Sequence, residues 1–453
     1  MKAQLLKEVE EEVTAFLSDL IRINTTNPPG NETEAAKYVS RYLIKEGLEC
    51  ELYESKPGRG NVVTRIKGEG QKPSLLLLSH LDVVAANAEE WSVDPFGGVV
   101  KDGFVWGRGA LDMKGMTAIE VMTMRLLKRN GVRLKGDVIL AATADEEKGG
   151  LEGADYLLKN HHEKIFADYV LNEGGGTSIP INRKNVFTIQ TAEKGIIWFN
   201  IKAKGVPGHG SMPNTGDNAI IRMNKIIGKI ETYRPPVTLV PIVKHFLEII
   251  AKEDQSLKQP FLRLLARPEL SDQILDELTK SYEYIAEEIR PRIRMTVTPT
   301  MIHGGVKENV IPSECEATFD CRILPGQTTT QAIETIKGLL SELDQPKITF
   351  EIMQSFEPSE SSMGTPFYDC ATSVLKDFEP DCSVTPLLMT GGTDSRFFRN
   401  EGSICYGFQP MRLETPIGGK IVKREHGVDE RISIENLIFG TSVLYESAKR
   451  FMS

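Results

Sequence analysis

Three short apolar runs in the first half of the chain each stop at a histidine or an acidic residue, and that repetition constrains the fold more than any other feature. Leu75–Leu78 leads to His80 and Asp82; Asp137–Ala144 leads to Asp145, Glu146 and Glu147; the run "ADYVLN" leads to Glu173. Continuous apolar runs of this length suit parallel strands covered on both faces. Between the first two lies a helical pattern (Met116, Ile119, Met122, Met124, Leu126, Leu127) that stops at Asn130-Gly131, a good helix end. A second helix is expected from about Ala154 to Lys159. Strands alternating with helices predict an α/β unit with a mostly parallel sheet. Ligands of such sheets bind beyond the carboxyl ends of the strands. If the three strands are neighbours, His80, Glu146, Glu147 and Glu173 converge there.

An acidic cluster in a loop is ordinarily solvated surface, so convergence needs a reason. Carboxylates placed together repel one another unless cations neutralise them. Histidine beside Asp and Glu suits Zn²⁺ or a related divalent ion, and one carboxylate can bridge two ions about 3.5 to 4 Å apart. In the extended segment His80 and Asp82 share a face. Asp112 sits in the glycine-rich turn "GRGALDMKG", and His426 precedes a glycine and an acidic pair near the end of the chain. Alone, His426 reads as a turn histidine; its company gives it weight.

Length and charge narrow the rest. A chain of 453 residues exceeds what one core usually supports, so two domains are expected. A net charge of -9 argues against nucleic-acid and anionic-membrane partners. The start of the chain places Leu5, Val9, Val13, Phe16, Leu17 and Leu20 at helical spacing among acids, an amphipathic helix and not a secretory leader. No apolar stretch is long enough to span a membrane. The six scattered cysteines lack metal-site spacing and read as free thiols of a cytoplasmic protein.

Nine motifs in order, "SHLDVV", "GRGALDMKGM", "ADEEKGG", "NEGGG", "GHGSMP", "GGVKENVIP", "DCRILPG", "GGTDSR" and "EHGVDERISIENL", resemble the aminoacylase, glutamate carboxypeptidase and succinyl-diaminopimelate desuccinylase family of co-catalytic zinc hydrolases. The resemblance covers nearly the whole chain. It implies two Zn²⁺ ions per subunit, with Co²⁺ or Mn²⁺ equally suited to the ligands. By that likeness Asp112 bridges the ions, His80 and Glu173 hold one, and Glu147 and His426 hold the other. Glu146 is implied as general base, Asp82 as the residue orienting His80, and a cis peptide is implied between Asp112 and Met113. Asp145 is left as a helper or turn residue.

The likeness further implies a zinc-peptidase catalytic domain (1–186 and 359–453) interrupted by a smaller α+β lid and dimerisation domain (187–358), where alternating runs such as "CEATFDCRIL" replace the strand–helix rhythm. Residues 240–292 carry charged helical patterning and are expected to elaborate the lid near the substrate mouth or the subunit contact. From the lid, His209 is expected to stabilise an oxyanion, commonly in the partner of a homodimer, and Asn309 and Arg322 to bind the substrate. On the catalytic side Gly392 lies in a glycine-rich turn whose amides suit an anion, and Arg396 is a second candidate carboxylate clamp. His161, His162, His245 and His303 carry no ligand expectation.

The reading that follows is a hydrolase of N-acyl amino acids or short peptides with a free carboxylate. Glu173, where some relatives have Asp, resembles the carboxypeptidase and deacylase branch. The alternatives are a dipeptidase or aminopeptidase of the same family, a non-catalytic metal-binding homologue, and a synthase running the reaction backwards.

Overall fold

In the computed structural model, which describes residues 2–182, 184–343, 345–414 and 425–453, the three apolar runs are adjacent parallel strands. Leu75–His80 lies between Val138–Thr143 and Tyr169–Asn172, and Ile404–Gly407 extends the parallel set. Alternate residues face opposite layers, as the period of two requires. Leu75, Leu77, Val138 and Leu140 join one core with the helices Lys2–Arg22, Lys114–Arg129 and Ile434–Met452. Leu76, Leu78, Ile139 and Ala141 join the opposite core with the helix Ala154–Asn160 and Phe398. The first helix buries Val9, Val13, Phe16, Leu17 and Leu20 as its spacing predicts.

Antiparallel strands flank this centre and complete a ten-stranded sheet: Cys50–Glu54 and Gly60–Ile66 at one side, Lys184–Glu193 and its partners at the other. The register runs from Leu75↔Val138 to His80↔Thr143, so the carboxyl ends are level. His80 and the Asp145–Glu147 turn therefore emerge side by side.

A second sheet is antiparallel throughout, in the order Thr296–Gly304, Glu314–Ile323, Gly195–Lys204, Ile348–Phe356. The helices Ala219–Thr232 and Thr329–Leu339 cover it through Met223, Ile226, Ala332 and Ile336 around Phe199 and Phe319. The chain crosses into this sheet between Glu193 and Gly195 and rejoins the large sheet at Ser359–Glu360. The crossing falls later than position 187, because "VFTIQTAE" alternates like a strand of either sheet and pairs with the large one.

The helices Pro241–Glu253, Gln255–Ala266 and Ser271–Ile289 lie elsewhere than on the small sheet. Their apolar faces, among them Phe246, Leu247, Ile250, Phe261 and Leu275, pack with Ile179, Val186 and Leu388 of the large sheet. Periodicity marks a face for burial and is silent about its partner. Among the described residues no helix is long and apolar enough to cross a membrane, and all six cysteines are free thiols.

Candidate metal centre

Each strand end delivers one part of a cluster. His80 closes its strand with Nε2 3.1 Å from Asp112 Oδ1 and 3.8 Å from Glu173 Oε2. His426 places Nε2 3.0 Å from Asp112 Oδ2 and 3.2 Å from Glu147 Oε1. Ligand atoms about 2.0–2.1 Å from a tetrahedral ion lie roughly 3.3 Å apart, so both trios have the spacing that one divalent cation requires. In each trio all the donor atoms lie within 4.8 Å of one another. The two oxygens of Asp112 face different histidines, and the Asp112–Met113 peptide is cis.

The electrostatics point the same way. Among the described residues, the cations ion-paired to these carboxylates are the two histidines themselves. Hydrogen bonds donated to the Asp112 and Glu147 carboxylates push the His426 imidazole up to about 10. Burial, then the charge of Asp112, pushes the Glu173 carboxyl up to about 7. Burial and the nearby Glu173 raise Glu146 well above the usual carboxylate range. Acids crowded until they resist ionisation, with imidazoles driven to hold protons, form a donor set suited to divalent cations.

Asp82 sets the cluster from behind. His80 Nδ1 lies 2.9 Å from the Asp82 carbonyl oxygen and 3.4 Å from its carboxylate Oδ1, which turns Nε2 towards Asp112. The same carboxylate accepts the backbone N–H groups of Glu146 and Glu147 at 3.0 and 3.1 Å and the Asn27 amide at 2.8 Å. Asp145 adopts a left-handed φ of 73°. Its carboxylate is held by Arg59, Asn27 and the Glu152 N–H, so it braces the turn that aims Glu146 and Glu147.

Two further residues escape the sequence reading. Glu430, fully buried, accepts the N–H groups of Leu111 (2.7 Å) and Asp112 (3.0 Å) on one oxygen, and those of Gly109 (3.1 Å) and the Arg108 guanidinium (2.6 Å) on the other. Arg108 in turn donates to the His426 carbonyl at 3.3 Å. This pair ties the Asp112 turn to the His426 turn. Its only sequence signal is the closeness of Glu430 to His426. Glu430→Ala leaves Arg108 as an uncompensated buried charge and is expected to destabilise the fold by about 3 to 5 kcal/mol, measured as a shift of the urea unfolding midpoint.

None of the remaining candidates is a ligand in either trio, although the charge of Arg396 reaches Glu146 and opposes the rise of its pKa. His209 is exposed on the short strand Gly208–His209, its Nδ1 2.8 Å from Ser211 Oγ. Asn309 is exposed, and its carbonyl accepts the Gly210 N–H. Arg322 makes a two-pronged pair with Asp320 at 2.6 and 2.8 Å. Arg396 is buried, donates to the carbonyls of Thr393 and Gly149, and stacks between Phe356 and Phe397. In the Gly392 turn the Thr393 N–H is taken by the Glu193 carboxylate. His161 stacks on Tyr53 and His162 on Phe166. The arginines and lid residues expected to grip a substrate have internal partners or open exposure.

A cavity of about 400 Å³ opens beside Asp112, Glu173 and His426 and reaches Tyr284, Glu288 and Arg292 at the end of the third inserted helix.

Comparisons with known proteins agree with this geometry. Over 419 residues the chain is 27% identical to aminoacylase-1 of Sus scrofa, covering 91% of this chain and 89% of that one. Over 379 residues it is 28% identical to the N-fatty-acyl-amino acid synthase/hydrolase of Homo sapiens, covering 81% and 72%. The fold superposes on a metallo-carboxypeptidase of Sulfolobus solfataricus with a TM-score of 0.73 at 20% identity, covering 97% and 99%. A dinuclear metal-binding peptidase of Bacillus subtilis gives 0.63 at 16%, covering 98% and 99%. Residues 76–450 match the model of peptidase family M20/M25/M40. The chain belongs to that family of metal-dependent hydrolases, and is a hydrolytic enzyme.

Proposed function

We propose that the chain cleaves the amide bond of N-acyl amino acids or short peptides bearing a free carboxylate, using two zinc ions held by His80–Asp112–Glu173 and by Asp112–Glu147–His426. The observation that carries this reading is Asp112, which offers one oxygen to each histidine-centred trio. The names of the relatives, an aminoacylase and an N-fatty-acyl-amino acid synthase/hydrolase, support the substrate class.

Cations bound there supply a Lewis acid for the scissile carbonyl and lower the pKa of water. Glu146, held at the cluster by the grip of Asp82 on its backbone, takes a proton from the attacking water and returns it to the leaving nitrogen. Asp82 keeps His80 in one tautomer and orientation. His209 meets the developing oxyanion from a second copy of the chain, a role supported by its exposure on the small unit. Exposed Ile220, Ile221, Met301, Ile302 and Val306 on the small unit support a dimer through that face, with the small unit acting as lid.

The test is amide hydrolysis by purified protein across N-acyl amino acids, dipeptides and aminopeptidase substrates, with Zn²⁺, Co²⁺ or Mn²⁺ added. Metal-dependent release of the carboxylate-bearing amino acid from N-acyl substrates is the expected result. Turnover of free-amine dipeptides alone would move the enzyme to the dipeptidase branch, and failure to bind metal would sink the reading.

A further inference from the structure

We propose that Arg396 is a positioning residue for Glu146: it fixes the turn that carries the base by gripping the Gly149 carbonyl, from a seat completed by Phe356 of the small unit. The inference rests on the reading of Glu146 as general base, and it gives Arg396 a task other than clamping a substrate carboxylate.

The grip reaches Glu146 through two hydrogen bonds. The Arg396 guanidinium donates to the Gly149 carbonyl at 2.9 Å, and the Gly149 N–H donates to the Glu146 carbonyl at 2.9 Å. The turn closes further where the Gly150 N–H meets the Asp145 carbonyl at 2.7 Å. Its far end lies flat against the short helix Ser395–Asn400, which carries Arg396. A Cβ on Gly150, where φ is +70°, would collide with Asp394 Oδ1 and lie 2.9 Å from Phe397 Cε2, so backbone is pressed onto that helix with no side chain between. Asp82 and Arg59 hold the start of the turn, through the Glu146 and Glu147 N–H groups and through Asp145. Arg396 holds its end.

The seat closes Arg396 to a substrate. The residue is 6% exposed, and its guanidinium carbon lies 4.5 and 4.4 Å from the ring centroids of Phe356 and Phe397. One terminal nitrogen donates to Gly149 and the other to the Thr393 carbonyl, while Nε is buried. A carboxylate could reach the fork only by displacing a ring or a backbone oxygen. Phe356 ends the strand Ile348–Phe356, and Gln354 of that strand lies against the same turn, since a Cβ on Gly149 would come within 2.8 Å of its Nε2. Where the last strand of the small unit rests therefore helps to set the turn of the base. Lysine, a point charge without a plane, cannot serve both carbonyls or fill the space between the rings.

The experiment measures kcat, KM and metal content of the metal-loaded enzyme on one N-acyl amino acid for Arg396→Lys and Phe356→Leu, each in the parent and in a Glu146→Gln background. Phe356 is half-buried, so its variant carries the test if Arg396→Lys misfolds. Lysine keeps the positive charge, and its deficit reports the lost fork. The expected result is parental metal content and KM, with kcat lowered about 10- to 100-fold in Arg396→Lys, the scale of a displaced catalytic group, and by a smaller factor in Phe356→Leu. In the Glu146→Gln background the same changes lower kcat by less than about twofold, because a residue acting through Glu146 has nothing left to position. A deficit that appears in KM with kcat intact makes Arg396 a substrate clamp and overturns the inference; equal losses in both backgrounds make it structural and also overturn it, while the base assignment stands. If Glu146→Gln keeps the parental rate, the base assignment falls, and hydrogen–deuterium exchange decides the grip by itself. Faster exchange confined to residues 145–150 in both variants upholds it, and unchanged exchange there overturns it.

Discussion

Glu146→Gln is expected to keep the metal content of the parent enzyme and to lose about 10²- to 10⁴-fold in kcat, the range general base catalysis supplies. The side chain keeps its length, and its backbone N–H still donates to Asp82 at 3.0 Å, so the turn and the neighbouring Glu147 stay in place. What disappears is a carboxylate that, unlike its neighbours, braces nothing among the described residues: Asp145 is engaged by Arg59 and Asn27, and Glu147 by His426. Metal analysis run beside steady-state kinetics separates the roles. A variant at parental rate would move the base elsewhere, and a variant stripped of one metal would make Glu146 a ligand.

Asp112→Ala is expected to reduce bound metal below two per chain, weaken what remains by more than about 100-fold, and leave no measurable turnover. Losing a residue that only orients a ligand typically lowers metal affinity 10- to 100-fold, and Asp82→Asn should fall in that range. Asp112 goes further because both trios lose an oxygen at once. Competition with a chromophoric chelator gives both affinities. If Asp112→Ala holds two metals as tightly as Asp82→Asn does, the bridging role is wrong.

Much of this centre was legible in the sequence because strands have a simple geometry. A continuous apolar run predicts a strand covered on both faces, and the residue after it must lie at the sheet's edge. That logic brings His80, Glu146, Glu147 and Glu173 to one place from the sequence alone, and the level register of Leu75–His80 with Val138–Thr143 accounts for it. Asp112 and His426 lie on turns, where no periodicity applies, so their residue type and company marked them as candidates and only the family resemblance gave them roles.

Partnerships between distant side chains were not legible. Nothing local distinguishes Glu430, which holds the Asp112 turn, from the adjacent Asp429, whose carboxylate caps Ser92. Arg322 and Arg396 look equally available in sequence, yet one pairs with Asp320 and the other with backbone carbonyls between two phenylalanine rings. The insertion illustrates the same gap at larger scale. Its helical faces were readable from Phe246 to Ile289, and the sheet they would cover was not.

That the first inserted helix rests on the large sheet, with the other two packed in one core with it, separates two evolutionary variables. Among the residues assigned to the reaction, the insertion supplies none, yet its last turns border the reaction chamber. Side chains there, such as Tyr284 and Glu288, can change without removing a donor from either trio. The wall of the chamber and the donors of the ions are thus carried by separate stretches of chain, free to vary independently.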